Sequence, residues 1–282
     1  RRSSDLNQFQ LATAQLFGVV SPLIMPAIEA FASQSQTGSH TMEVEADVDE
    51  LCYYKLEEST PGTQIDLNVY LVGLPNVDAA SAPNDPDFQD TLDEFDRIYR
   101  QVGLQVGEID YIDVTGDAAT EYSIVRSQRA VQELVATSTR PQGGYDEALS
   151  ANIFFVRGME LGGAIGISMG LPGPAGLHGT PASGVVFTSE YMGQTIPDRF
   201  TNSDIDGNEF TGLIIAHEVG HYLGLFHTTE QRGRGSDPLA DTPECDGSDF
   251  PSDCPDLYNL MFPLAGKDHT EVSAGQKYMM EA

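Results

Sequence analysis

The run HEVGHYLGLFH, residues 217–227, has the residue types and the spacing of a metal site. His217 and His221 are four residues apart, so on a helix they project from one face and can bind one cation together. Glu218 follows the first of them directly and is too close in sequence to be a third ligand on that face. Its carboxylate can instead reach a metal-held water, take a proton from it and pass that proton to a leaving amine.

A bend after this helix is needed to complete the set of ligands. Gly224 can adopt the left-handed conformation that ends a helix and turns the chain, which would bring His227 back toward the first two histidines. Three neutral imidazoles leave at least one position open for water, as in catalytic zinc sites and unlike closed structural ones. The apolar residues that would fix the helix in a core are Leu213, Ile214, Ile215, Val219, Leu223, Leu225 and Phe226.

The alternative interpretation of H-E-x-x-H alone is a buried helix with two hydrogen-bonded histidines. Gly224 and His227 in register favour the metal site. We therefore predict that His217, His221 and His227 hold Zn²⁺ and that Glu218 is the catalytic base. Zinc lowers the pKa of its water toward ~7 and polarises a carbonyl, so hydrolysis at neutral pH needs no covalent intermediate.

The composition and net charge limit the classes of partner that this protein can bind. The chain has 282 residues, of which 40% are hydrophobic, and this suits a folded protein with a sizeable core. Lys and Arg total 14 against 43 Asp and Glu, a formal charge of -29. A surface this negative repels phosphate backbones, so we expect no nucleic acid partner. Polar residues and prolines interrupt the apolar stretch 16–31, so we expect no transmembrane segment.

The elements before the metal motif alternate between strand and helix. Residues 64–74 alternate apolar and polar side chains, which predicts a strand with one wetter face. Turn and N-cap residues at 83–87 precede apolar residues at helical spacing, which predicts a helix. A second strand (107–114), a second helix (about 121–136) and a third strand (153–156) follow. This order predicts an α/β fold with right-handed crossovers and a mostly parallel sheet.

Two further segments differ from this pattern. Residues 1–60 combine an apolar helical segment, a Ser/Gln/Thr/Gly spacer and an acidic run, which predicts a separate N-terminal segment, either a pro-region or a brace. A catalytic domain would then span 61–282. The Gly- and Pro-rich run 162–184 is predicted to be an irregular surface loop, followed by a short strand at 184–187 that would edge a cleft.

The three cysteines divide into a pair and a single residue. Cys245 and Cys254 are close in sequence and flanked by Pro, Asp and Gly, which predicts a disulfide across a loop. A disulfide implies an oxidising compartment, so we expect a secreted or cell-surface protein. Cys52 has three interpretations. It is a buried free thiol, it forms a bridge to the C-terminal half, or its thiolate blocks the open position of the zinc and keeps the enzyme latent.

The signature HExxHxxGxxH at 217–227 is similar to that of the metzincin zinc metallopeptidases. The tripeptide at 259–261 resembles the Met-turn that lies beneath the metal in that clan, with Met261 as the structural methionine; an ordinary core methionine is the alternative. The triplet Asp-Thr-Pro at 241–243, the cysteine pair after it and Ser-Ala-Gly-Gln at 273–276 resemble the pappalysin family. The resemblance is specific over about 212–280 and only loose before that.

The resemblance implies a zinc-dependent endopeptidase that cleaves a protein or peptide through Glu-assisted attack of a zinc-bound water. It implies a metzincin-like fold, with a twisted, mostly parallel sheet, an antiparallel edge strand, an active-site helix and a smaller irregular C-terminal subdomain. The upper subdomain would cover about 61–224 and the lower about 225–282, with a cleft between them. Pappalysins also bind calcium, which makes Asp237 and the backbone of Thr242 candidate calcium ligands.

Two local features leave alternatives open. The acidic loop 204–209 has alternating oxygen side chains but is shorter than an EF-hand loop, so an N-cap for the metal helix is the favoured interpretation. Family members often carry a tyrosine two residues after the methionine, thought to help hold the tetrahedral intermediate, and this chain has Pro263 there. Tyr258, Tyr191 and His178 are alternative donors, although a structural role is the better expectation for each.

Two rival functions use the same residues. A non-catalytic module in which zinc only holds the fold is disfavoured by Glu218, because structural zinc needs no carboxylate beside its first ligand. A zinc hydrolase that acts on something other than protein is compatible with the same spacing, and an assay on mixed unfolded proteins would separate it from a peptidase.

Overall fold

The computed structural model describes residues 64–139, 150–174, 178–230, 232–233 and 235–281. The predicted N-terminal segment 1–60, with Cys52, lies outside these residues, and the division of the chain at about residue 60 stays a prediction. No helix in the described part of the chain is long and apolar enough to cross a membrane.

The strands build one large sheet and two small ribbons. Within the described residues they are β1 (Gln64–Val72), β2 (Gln105–Val114), β3 (Ile124–Val125), β4 (Ser150–Val156), β5 (Gly158–Met159), β6 (Gly166–Ser168), β7 (Val185–Thr188), β8 (Thr195–Pro197) and β9 (Asp204–Asp206). The large sheet has the order β2-β1-β4-β7-β6. Its pairs are parallel except for β6, which runs antiparallel to β7 at one edge. The predicted mixed α/β fold, with a mostly parallel sheet and an antiparallel edge strand, is confirmed.

The helices pack against this sheet and against each other. In the described residues they are α1 (Pro86–Arg100), α2 (Gly116–Tyr122), α3 (Gln128–Ser138), α4 (Gly207–Tyr222) and α5 (Ala274–Glu281). At the start of α1, the Asp85 side chain accepts a hydrogen bond from Phe88 N, as expected of the predicted cap. Tyr99 Oη of α1 donates to Ala216 O of α4 at 3.0 Å, which fixes the two helices together inside the core.

The second face of β1 is drier than predicted. Leu67, Val69 and Leu71 pack into the main core with residues of α1 and α4, as the alternation predicts. Tyr70 and Val72 on the opposite face are buried as well, because residues of α2 and α3 cover that face. A parallel sheet with helices on both faces buries both sets of side chains. The predicted wetter face of β1 is therefore wrong for this half of the strand.

The glycine-rich run 162–184 is not irregular throughout, which corrects the prediction. Residues 166–168 form β6, and the short strand predicted at 184–187 is β7, which lies between β4 and β6. At this end of the sheet the edge strand is therefore β6, and not the predicted strand β7. Its pairing with β7 spans the rest of the loop, and no local periodicity signals such a contact.

The C-terminal part has little regular structure. Between 223 and 273 the described residues form no helix and no strand longer than a single bridge, in line with the predicted irregular subdomain. Cys245 and Cys254 are joined by a disulfide and pack with Leu257 and Phe262 in a small core of their own. The subdomain boundary at residue 224 stays a prediction.

Candidate metal centre

Helix α4 carries two of the three candidate ligands and is buried on almost every side. It begins after Asp206, whose side chain accepts hydrogen bonds from Asn208 N and Glu209 N, so the acidic loop before it is an N-cap. The helix packs into the main core through Leu213, Ile214, Ile215, Ala216, Val219 and Tyr222. A helix held in this way keeps its polar side chains in fixed positions.

The chain turns sharply after α4 and brings the third histidine to the first two. Gly224 has φ +99°, in the left-handed region that a glycine adopts without strain. Nε2 of His227 lies 3.3 Å from Nε2 of His217 and 3.1 Å from Nε2 of His221. The three histidines singled out by spacing therefore come together.

Hydrogen bonds on the far side of two rings decide which nitrogen is free. His217 Nδ1 lies 2.7 Å from Leu260 O, and His221 Nδ1 lies 2.7 Å from Leu225 O. A carbonyl oxygen only accepts, so each Nδ1 carries the proton and each Nε2 presents a lone pair. Burial and the neighbouring imidazoles lower the pKa of both rings, that of His221 to about 4, which keeps them neutral as metal ligands must be.

The donor set fits a zinc ion. Nδ1 of His227 faces the Glu230 carboxylate at 3.4 Å, so its Nε2 is the free nitrogen too. Three lone pairs that face one another at 3.1 and 3.3 Å repel unless a cation lies between them. Tetrahedral zinc, with Zn–N bonds of about 2.0–2.1 Å, sets its nitrogens roughly 3.3 Å apart, which matches these separations.

Glu218 lies next to these histidines and close to β6. The residue is 8% exposed, and burial raises the pKa of its carboxyl to about 8 in the metal-free protein. Ser168 N–H donates a hydrogen bond to this side chain, which opposes the rise. A Cβ at Gly166 would lie 2.7 Å from Cγ and Oε1 of Glu218, so any side chain there would displace the carboxylate.

Gly166 and Ser168 are positions that sequence reasoning missed. The only available signal was a glycine between apolar residues in a run that also contains many other glycines. Nothing local connected that glycine to a glutamate some fifty residues later. The contact exists because β6 pairs at the edge of the sheet directly over α4.

Met261 lies against α4 in a tight turn. The side chain is fully buried, and its Sδ would be 2.8 Å from a Cβ at Gly220. Leu260, just before it, supplies the carbonyl that accepts from Nδ1 of His217. Asn259 Oδ1 accepts from Met261 N, and the amides of Asn259 and Gln276 pair reciprocally at 2.9 Å, which links the turn to α5.

The candidate calcium ligands Asp237 and Thr242 contact each other in the C-terminal part of the chain. Thr242 Oγ1 donates to Asp237 Oδ1. Asp237 Oδ2, both carboxylate oxygens of Asp256 and the hydroxyls of Thr228 and Thr229 are buried without a hydrogen-bond partner among the described residues. Burial raises the pKa of the Asp237 carboxyl, and nearby negative charges, Asp256 among them, add to the rise.

Asp256 was not singled out in the sequence, because a single aspartate among many in an acidic chain carries no signal. It lies beside the disulfide: one oxygen of Asp256 and the sulfurs of Cys245 and Cys254 are all within 4.8 Å of one another. Sulfurs in a disulfide are not thiolates, so these three residues do not form a thiolate metal site.

The three alternative donors for the missing tyrosine make contacts elsewhere. Tyr191 packs edge-on against Phe210, with ring centroids 5.3 Å apart. His178 Nδ1 is 2.8 Å from the side-chain amide of Asn152 on β4. Tyr258 is half-exposed. None of these contacts involves the three clustered histidines.

No family model matches the chain, and no curated protein matches its sequence. Among solved structures it is similar to metalloproteinase-II from Bacteroides fragilis, with 12% identity, a TM-score of 0.42, and coverage of 79% of this chain and 54% of that one. The chain thus spans about half the length of that protein. It is also similar to archaemetzincin from Methanopyrus kandleri (14% identity, TM-score 0.37, 61% of this chain and 79% of that one).

A third similar structure is a zinc-dependent peptidase from Methanocorpusculum labreanum, with 9% identity, a TM-score of 0.38, and coverage of 76% of this chain and 99% of that one. These identities and scores are low.

Proposed function

We propose that this protein is a zinc-dependent endopeptidase of the metzincin type, with a motif most like that of the pappalysins. The observation that carries this proposal is the convergence of three imidazole lone pairs beside a buried glutamate. His217, His221 and His227 would hold the zinc, which polarises the scissile carbonyl and lowers the pKa of the attacking water.

Glu218 would act as the general base and then as the general acid. It takes a proton from the attacking water and gives that proton to the leaving amine, so that no covalent intermediate forms. The hydrogen bond from Ser168 N–H orients the carboxylate, and Gly166 leaves the space in which it lies. Both contacts hold the carboxylate in one place on the helix that also carries His217 and His221.

The outer edge of β6 supports a peptide substrate. Backbone hydrogen bonds at Ile165 O (3.0 Å) and Met169 N (3.1 Å) point toward β7. In an antiparallel pair the alternate residues, Gly166 and Ser168, direct their backbone groups to the opposite side, where Glu218 lies. The backbone groups of Gly166 and the carbonyl of Ser168 lie on that side, where an extended peptide can add as a further strand beside the carboxylate that accepts from Ser168 N–H. Such pairing requires no free chain end, which favours an endopeptidase.

The two rival functions fit these observations less well. A purely structural zinc site does not require a buried carboxylate beside its ligands, and burying one costs several kcal/mol. A hydrolase for small non-peptide substrates would not need a sheet edge next to the base.

The test is cleavage of a mixture of unfolded proteins by the purified, zinc-loaded protein. We expect internal cleavage, with new N-termini found by mass spectrometry throughout the substrates, because an edge strand pairs with any extended segment. A strong chelator should abolish cleavage, and added Zn²⁺ should restore it. Zinc-loaded protein that hydrolyses small esters but leaves every unfolded protein intact would favour the non-peptide hydrolase.

Asp237 and the nearby Asp256 would hold a structural calcium ion. Buried carboxylates without partners are costly, and a hard cation with six to eight oxygen ligands would neutralise them. Among the described residues, Asp237 Oδ2 and both oxygens of Asp256 have no hydrogen-bond partner, and the Asp256 charge acts on Asp237. Thr228, whose carbonyl accepts from Asp237 N, would add its hydroxyl. The backbone of Thr242, in the triplet that the resemblance singles out, would complete the set.

Calcium is expected to stabilise the protein against unfolding. At a Ca²⁺ concentration 100 times the dissociation constant the free energy of unfolding rises by about 2.7 kcal/mol, seen as a higher midpoint of thermal unfolding. Asp256→Asn should lose this calcium-dependent rise, whereas the exposed Asp110→Asn should keep it. Wild-type protein whose unfolding midpoint does not respond to Ca²⁺ would contradict the site.

The disulfide between Cys245 and Cys254 supports a secreted or cell-surface location, since such bonds persist in oxidising compartments. Residues 1–60 would serve as a pro-region or a brace. In the first case Cys52→Ala should raise activity or change zinc coordination, because a thiolate would no longer fill the open position.

A further inference from the structure

The three clustered histidines differ in what orients them. His217 and His221 donate from Nδ1 to backbone carbonyl oxygens, both at 2.7 Å. Those carbonyls belong to Leu260 and Leu225, which are buried in the main core. The acceptors of the first two ligands are thus part of the fold, and no side-chain substitution removes them.

His227 faces a side chain instead of a carbonyl. Its Nδ1 lies 3.4 Å from Oε2 of Glu230, a half-exposed residue three positions later. The separation is longer than the other two, so this ring is held less firmly from behind.

The backbone around Glu230 is fixed by a tight turn. Glu230 N donates to Gly235 O, and Gly233 N donates to Glu230 O, both at 2.9 Å. Thr229 and Ser236 form an antiparallel bridge at the base of this turn. These contacts hold the backbone of Glu230, whose carboxylate lies 3.4 Å from the third histidine.

We propose that Glu230 is a positioning residue that orients His227 and, through its negative charge, sets how tightly the three histidines retain their metal. This role rests on the proposed function, since it presupposes a metal at the histidines. A carboxylate behind a ligating imidazole fixes its tautomer and raises its basicity, and removing such an outer partner typically weakens metal affinity ~10–100-fold.

The experiment compares Zn²⁺ dissociation constants, measured by competition with a chelator of known affinity at fixed pH and ionic strength. Glu230→Ala should bind Zn²⁺ about 10–100-fold more weakly than wild type. Glu230→Gln keeps an acceptor oxygen but loses the charge. Its affinity for Zn²⁺ should therefore lie between that of wild type and that of Glu230→Ala. Glu108→Gln, an exposed residue on β2, is the matched control and should bind like wild type.

High salt distinguishes the contribution of the Glu230 charge from the contribution of its acceptor oxygen. The charge contribution of an exposed carboxylate is screened at high ionic strength, so the gap between wild type and Glu230→Gln should narrow in 1 M salt, whereas the gap between Gln and Ala should persist. Circular dichroism of the metal-free variants, expected to match wild type, establishes that the fold is intact.

The outcomes distinguish this role from the function itself. Wild-type protein that retains Zn²⁺, with Glu230→Ala and Glu230→Gln equally tight, would reduce Glu230 to a surface carboxylate, whose ion pairs contribute little. Wild-type protein that binds no Zn²⁺ would overturn the proposed function, and the role of Glu230 with it.

Discussion

Replacing Glu218 by Gln is expected to slow peptide hydrolysis by about 10²–10⁴-fold while the protein keeps its zinc, because general acid–base catalysis contributes that much. The amide is nearly isosteric and fills the same buried space, but it cannot accept a proton at neutral pH. The measurement is kcat/KM on an unfolded protein or peptide substrate, together with zinc content by atomic absorption on the same samples.

Two further variants sharpen this result. Glu121→Gln makes the same chemical change at an exposed site on α2 and should leave both rate and zinc content unchanged. Gly166→Ala keeps the carboxylate but pushes it aside, since its Cβ would lie 2.7 Å from Glu218 Cγ. A displacement of about 1 Å can cost ~10²-fold in rate, so this variant should be slow with its zinc retained. A Glu218→Gln protein that cleaves as fast as wild type would mean that the mechanism is wrong.

The same substitution should stabilise the metal-free protein. The pKa of Glu218 is about 8 in the fold and near 4.5 when unfolded, so between these pH values the folded state binds a proton that the unfolded state has lost. The free energy of unfolding therefore falls as pH rises from about 4.5 to 8, by ~1.4 kcal/mol per unit of pKa difference. In the metal-free Glu218→Gln protein this fall in the free energy of unfolding does not occur. The variant should therefore unfold at a higher urea concentration than wild type at pH 8, and the difference should vanish near pH 4.5.

Removing one histidine of the cluster is expected to have the second large effect. His227→Ala leaves two imidazoles on α4, and two nitrogen donors do not complete the three-ligand set of a catalytic zinc site. Zinc affinity should fall by more than the ~10–100-fold that loss of an outer partner causes, and hydrolysis should fall with it at limiting zinc. The measurement is the Zn²⁺ dissociation constant by chelator competition, with cleavage assayed on the same protein.

His178→Ala is the matched control for this experiment. It also removes a partly buried imidazole, but one whose Nδ1 contacts Asn152 on β4. We expect zinc affinity to stay at the wild-type value. His227→Ala protein that still holds zinc as tightly as wild type would exclude His227 as a ligand and would leave the bend at Gly224 without a functional explanation.

Local spacing carried much of the information about this protein. The positions of His217, Glu218 and His221 on one helix follow from the 3.6-residue period, and Gly224 signals the bend that brings His227 back. The alternation of strand and helix predicted the mostly parallel sheet for a similar reason. Periodicity and turn chemistry are properties of neighbouring residues, so a sequence displays them directly.

Tertiary structure alone decided what surrounds those residues. Gly166 beside Glu218, the Leu260 carbonyl behind His217 and the Asp256 charge near Asp237 are contacts between segments far apart in the chain. Each depends on how loops close and on which strand takes the edge of the sheet. Loop closure depends on the packing of the whole core, so no short stretch of sequence encodes it.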